Sequence, residues 1–99
     1  MSSYNRLNGP YTQENYELLT TVLRDEWGFD GIVMSDWIRL RNTAAQIHAG
    51  NDHLQPGEQK QVDDLLDKVK TNQLSVADID ICVKRMLNYI VKTPQFQRI

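Results

Sequence analysis

The stretch from Gly28 to Trp37, Gly-Phe-Asp-Gly-Ile-Val-Met-Ser-Asp-Trp, constrains the fold of this chain more than any other. Ile32, Val33 and Met34 form a continuous apolar run between turn signals, the pattern of a parallel strand covered on both faces. Upstream, Leu18, Leu19, Val22, Leu23 and Trp27 recur at three- and four-residue intervals, one apolar helical stripe that starts from Thr12 and ends near Gly28. Residues 1–4 read as the stub of an earlier strand, and residues 5–11 as a loop with Asn8-Gly9-Pro10 as its turn. Strand, helix and strand together predict a βαβ unit over residues 1–36, and hence an α/β fold.

Downstream the pattern is mostly helical. A helix is expected over residues 42–49, closed by Gly50, then a loop over 51–59 that turns at Pro56-Gly57. Val62, Leu65, Leu66 and Val69 mark the next helix. Ser75 with Asp78 resembles a capping box and opens the last one, whose stripe is Val76, Ile79, Val83, Met86, Leu87 and Ile90. Pro94 forbids its continuation.

The chemistry-bearing candidate is Asp36. Open α/β folds and β/α barrels place reactive groups at the C-terminal ends of strands, where the sheet holds the side chain and the loops are free to vary. Ser and Asp also cap helices, so spacing alone leaves Asp36 open between a reactive carboxylate and a cap of the following helix.

The order and spacing of several blocks add a resemblance. Residues 1–9 (Met-Ser-Ser-Tyr-Asn-Arg-Leu-Asn-Gly), Glu14-Asn15, Glu17-Leu18-Leu19, Leu23-Arg24, Glu26-Trp27-Gly28-Phe29-Asp30-Gly31 and Val33-Met34-Ser35-Asp36-Trp37 are similar to consecutive motifs of glycoside hydrolase family 3, the β-glucosidase family. Ala49-Gly50-Asn51-Asp52, Pro56-Gly57, Ile79-Asp80 and Arg85-Met86-Leu87 continue the match through almost the whole chain.

The resemblance implies a fragment of a (β/α)8 TIM-type barrel: residues 1–93 as the C-terminal portion of the barrel domain and 94–99 as the start of an interdomain linker. It implies a retaining, exo-acting β-glycosidase acting on a terminal β-linked glucosyl residue, with Asp36 as nucleophile. Trp37 would be part of the sugar-binding wall, because an aromatic face packs on the apolar face of a pyranose. Tyr4 would lie beside the nucleophile and donate to it or to a sugar oxygen. Retention needs a second carboxylate as acid/base, about 5 to 5.5 Å from the first. The family supplies it from a later domain, and its Lys-His and Arg sugar ligands from upstream, so the isolated chain is expected to be inactive. Asp52 matches a recurring family acid read as mainly structural, tying down a loop. His53-Leu54-Gln55 and residues 38–41 depart from the family pattern in loops that rim its active site, which bears on substrate choice. Two alternatives stand beside this reading: a β-N-acetylglucosaminidase of the same family, and a non-catalytic helical interaction module in which Asp36 is a cap.

Composition narrows the remaining classes. Eleven Lys and Arg against 13 Asp and Glu give a formal net charge of −2, with the cations scattered, so no nucleic-acid partner is expected. No apolar run approaches the ~20 residues that span a bilayer, and no membrane partner is expected. The N-terminus lacks a signal-peptide pattern, which leaves the compartment open, secreted and periplasmic locations included. Cys82 is alone and sits on the last helical stripe, the placement of a packed thiol. His48, Asp52 and His53 lack the spacing and number of a closed zinc site, so neither a metal nor a cofactor is expected. Glu14, Glu17, Glu26 and Asp30 read as solvated charges. Strand edges left open by missing barrel neighbours predict self-association of the fragment.

Overall fold

The computed structural model describes residues 1–37 and 42–98. A 3-10 turn at Thr12–Glu14 leads into a π-helix at Glu17–Glu26, followed by α1 (Thr43–Ala49), α2 (Gln59–Lys70), α3 (Val76–Val91) and a terminal turn, α4 (Pro94–Gln97). The helical half of the sequence reading stands: Asn42 caps α1 by accepting from the Ala45 N–H at 3.0 Å, and Gly50 closes it at φ 116°. Ser75 caps α3 through the Ala77 N–H at 3.1 Å, a simple cap in place of the expected box with Asp78; the capping box is instead at α2, where the Glu58 N–H donates to Gln61 Oε1 at 2.8 Å.

The expected α-helix from Thr12 is instead a 3-10 turn and a ten-residue π-helix. Asn15 separates the two by accepting the Leu18 N–H on its side chain at 3.0 Å. The π-helix contains the β-branched run Thr20-Thr21-Val22, which favours the tight α-turn less than straight-chain residues do. Its exit is wide, with the Trp27 N–H donating to the Val22 carbonyl at 3.0 Å, five residues back.

The βαβ unit also needs correction. Among the described residues no strand forms; residues near 2, 33–36 and 52–55 run side by side, joined by isolated parallel bridges Ser2 to Ser35 and Met34 to His53. The middle segment bonds on both sides: Asp36 N–H to the Ser2 carbonyl (3.1 Å), Ser35 N–H to the His53 carbonyl (3.0 Å). Among the described residues the outer segments pair on the inner side only, and parallel ladders occur almost only in wider sheets covered on both faces.

Two small cores lie against this trio. Leu19, Val33 and Ala49 join the π-helix, the middle segment and α1, with Leu18 and Leu23 beside them. Ala44, Ile47, Leu74 and Cys82 form the second, packed by Leu54, Leu65, Val69 and Ile79. Only the inner side of the α3 stripe is covered; Val76, Val83, Leu87 and Ile90 remain exposed, as do Val62 and Leu66 on α2.

Gly50 is the tightest backbone position between these cores. Its left-handed φ strains any L side chain, and a Cβ there would lie 3.0 Å from Thr20 Oγ1, whose hydroxyl donates to the Ala49 carbonyl at 2.8 Å. Gly50→Ala should therefore destabilise the protein by about 1–2 kcal/mol, read as a lower urea midpoint with an unchanged m-value.

Candidate active site

Asp36 emerges half-buried at the end of the middle segment, and Trp37 beside it is 53% exposed. The Trp37 N–H donates to Asp36 Oδ1 at 2.8 Å, fixing the rotation of the carboxylate. Across the Ser2 to Ser35 bridge, the Tyr4 hydroxyl donates to the Trp37 carbonyl at 3.0 Å. The Tyr4 phenol is raised from its ordinary value of 10.0, first by desolvation and then by the adjoining Asp36 carboxylate. The structure therefore brings Asp36, Trp37 and Tyr4 into one cluster open to solvent. Of the two loops that depart from the family pattern, His53 and Gln55 close the third segment with their side chains in contact, and residues 38–41 lie outside the described residues.

Beneath this cluster is a buried polar layer. Ser2 Oγ donates to Asn51 Oδ1 at 2.6 Å, and Asn51 Nδ2 donates to the carbonyls of Gln13 (2.6 Å) and Gln46 (2.8 Å). Gln46 Nε2 reaches Gln13 Oε1 at 2.7 Å. Asp52, its side chain fully buried, accepts on Oδ2 from Arg24 (2.6 Å) and the Val33 N–H (2.9 Å), and on Oδ1 from Arg85 (3.2 Å). The loop-tying reading of Asp52 agrees with this geometry. Arg24 and Arg85 as its partners are additions that sequence reasoning missed. The available signal was general: a buried Asp needs a counter-charge, and Arg85 interrupts the apolar stripe of α3 three residues after Cys82.

No group of three or more His, Cys, Asp or Glu side chains among the described residues is arranged to hold a metal ion, and no helix among them is long and apolar enough to cross a membrane. His48 pairs with Asp78 at 2.9 Å and stacks on Tyr16, well apart in the contact pattern from His53, which faces Gln55.

The sequence model of the glycosyl hydrolase family 3 N terminal domain matches residues 1–89, nine-tenths of the chain. The chain belongs to glycoside hydrolase family 3. It is 42% identical to a β-glucosidase of Rhizobium radiobacter over 99% of its own length and 12% of that protein's. An exo-α-(1→6)-L-arabinopyranosidase of Bifidobacterium longum is 41% identical over 94% of the chain, again 12% of the relative. The chain thus spans about one eighth of the length of these family 3 relatives. Among solved structures, β-glucosidase 3B from Thermotoga neapolitana in complex with glucose superposes with a TM-score of 0.87 at 38% identity, over 96% of this chain and 14% of that one.

Cys82 lies against the same layer, its Sγ 3.3 Å from the Asn51 carbonyl. Burial, reinforced by the Asp52 carboxylate, pushes the thiol from 9.0 up to about 12. At pH 8 a thiol-reactive dye should label Cys82 only after unfolding in urea. Because the folded value lies above the unfolded one, the stability this thiol contributes is fully present below pH 9 and is lost as pH rises toward 12. Urea midpoints measured across that range should fall, and should fall less in Cys82→Ala.

Proposed function

We propose that this chain carries the nucleophile of a retaining, exo-acting β-glycosidase, with Asp36 as the nucleophile and Trp37 and Tyr4 as sugar-binding residues. The observation that carries the reading is the Asp36, Trp37 and Tyr4 cluster itself: a carboxylate of fixed rotation with an exposed indole and a phenol beside it. That combination suits a pyranose, which offers an apolar face for stacking and hydroxyls for hydrogen bonding. On this reading residues 1–93 are the C-terminal portion of a barrel domain and the parallel bridges are the inner ends of barrel strands. Neighbouring barrel elements then cover the exposed face of α3.

In the reaction, an Asp36 oxygen attacks the anomeric carbon as the bond to the leaving oxygen breaks. A second carboxylate, supplied from outside residues 1–99, protonates that oxygen. The same group then takes a proton from water, which attacks the anomeric carbon and releases Asp36 as the carboxylate. Tyr4 holds its proton at neutral pH like any phenol, and its single O–H, given to the Trp37 carbonyl in this structure, turns to the nucleophile or a sugar hydroxyl when substrate is bound. The Rhizobium radiobacter and Thermotoga neapolitana relatives favour a glucoside. The Bifidobacterium longum relative, nearly as similar, supports an α-L-arabinopyranoside as the second reading. Aryl glycosides of the two sugars separate them directly.

In the full-length enzyme that this reading implies, Asp36→Asn should lower kcat by roughly 10³-fold or more while substrate binding changes little. A 2-fluoro glycoside should leave its sugar on the peptide spanning residues 31–39 of the wild type. Trp37→Ala should raise KM about tenfold and still permit that covalent adduct. A sugar found on another carboxylate, or near-normal turnover in Asp36→Asn, would reject the assignment.

A further inference from the structure

Asp52 does more than join helices. Its carboxylate takes the Val33 N–H at 2.9 Å, and its own N–H donates to the Val33 carbonyl at 2.8 Å, so one residue holds both polar backbone groups of Val33. Val33 is the first residue of the middle segment, and Asp36 lies three residues on, about 10 Å away along an extended backbone. Little slack separates them. Ser35 bonds to the third segment through its N–H and accepts the Gln55 N–H on Oγ at 2.9 Å, while the Asp36 N–H is held by Ser2. These bonds fix the segment sideways, and Asp52 fixes where it starts.

Asp52 is itself held from two directions. Arg24 comes from the π-helix, binds Oδ2 and also donates to the carbonyls of Gly31 (2.9 Å) and Gly50 (3.3 Å), the residues that flank the two segments. Arg85 comes from α3 and binds Oδ1. With both oxygens taken by cations from different elements, the carboxylate plane cannot rotate without losing a charge-assisted bond. We propose that Asp52, clamped between Arg24 and Arg85, is a positioning residue for Asp36, setting through Val33 the register of the segment that carries it. The inference rests on the assignment of Asp36 as nucleophile.

Arg85 is the member to test, because its side chain is the most exposed of the three and Arg24 also supports the backbone. In the full-length enzyme, the time course of 2-fluoro glycoside labelling separates two quantities: its amplitude reports the folded fraction, and its saturating rate constant reports the placement of the nucleophile. Arg85→Met should slow that rate constant by about 10- to 100-fold, the range expected for displacement of a reacting group by about 1 Å. The concentration that gives half the maximal rate should not change. Arg85→Lys, which keeps a cation on Oδ1, should recover most of the rate, and Lys84→Met on the exposed side of α3 should behave as wild type. A lower amplitude at the wild-type rate constant in Arg85→Met would overturn the positioning role while leaving Asp36 as nucleophile. Absence of label on Asp36 in the wild type would overturn both.

Discussion

The buried Asp52 carboxylate is the interaction on which the other contacts of this structure depend. Its side chain has no solvent exposure, and removing a lone carboxylate from water is prohibitively costly unless cations and N–H groups replace the lost hydration. Arg24 and Arg85 supply the charge, and Val33 supplies an N–H. The cost falls on the cations too: burial lowers the Arg24 value, with the attraction of Asp52 opposing that shift and the nearby Arg85 adding to it. Arg24 nevertheless stays protonated, as guanidinium groups in proteins do. A cluster of this kind contributes modest net stability, yet loss of one partner leaves an uncompensated buried charge worth about 3–5 kcal/mol. That asymmetry makes it a device for specifying geometry.

The geometry it specifies is the meeting of four pieces of chain that are remote in sequence. Arg24 brings the π-helix onto the 50–52 corner, and Arg85 brings α3 onto it from the other side. The apolar contacts of Leu19, Val33 and Ala49 then fill one flank, and those of Ala44, Ile47, Leu74 and Cys82 the other. The polar layer of Ser2, Gln13, Gln46 and Asn51 closes the remaining side, so the middle segment is enclosed before it emerges at Asp36. The rigid part lies beneath the candidate site, and Asp36, Trp37 and Tyr4 sit at its open end.

Helix boundaries set by short-range chemistry were legible in the sequence. Asn42 and Gly50 delimit α1, and Ser75 opens α3, because caps act within a few residues of the chain. The helix from Thr12 was legible as helical but not in its register, since Asn15 and the β-branched run after it act on hydrogen-bond spacing, which apolar periodicity does not record. The strands failed for a different reason. Ile32, Val33 and Met34 have strand chemistry, but a ladder depends on neighbours on both sides, and these segments make only bridges. The candidate site residues Asp36, Trp37 and Tyr4 were nameable through the family resemblance. Arg24 and Arg85 were not, because their roles arise only when residues 28 and 33 positions away from Asp52 fold against it.

If the buried carboxylate holds the segment leading to Asp36, the Val33 amide is closed off by Asp52 at one of the least accessible points of the molecule. Residue-resolved hydrogen exchange on the wild-type protein measures this without any substitution. The Val33 N–H should exchange with the slowest group, alongside amides of α1 and far behind those of the exposed 5–10 loop. Exchange of Val33 at the rate of that loop, with α1 still protected, would show that the clamp does not hold the segment and would contradict the account.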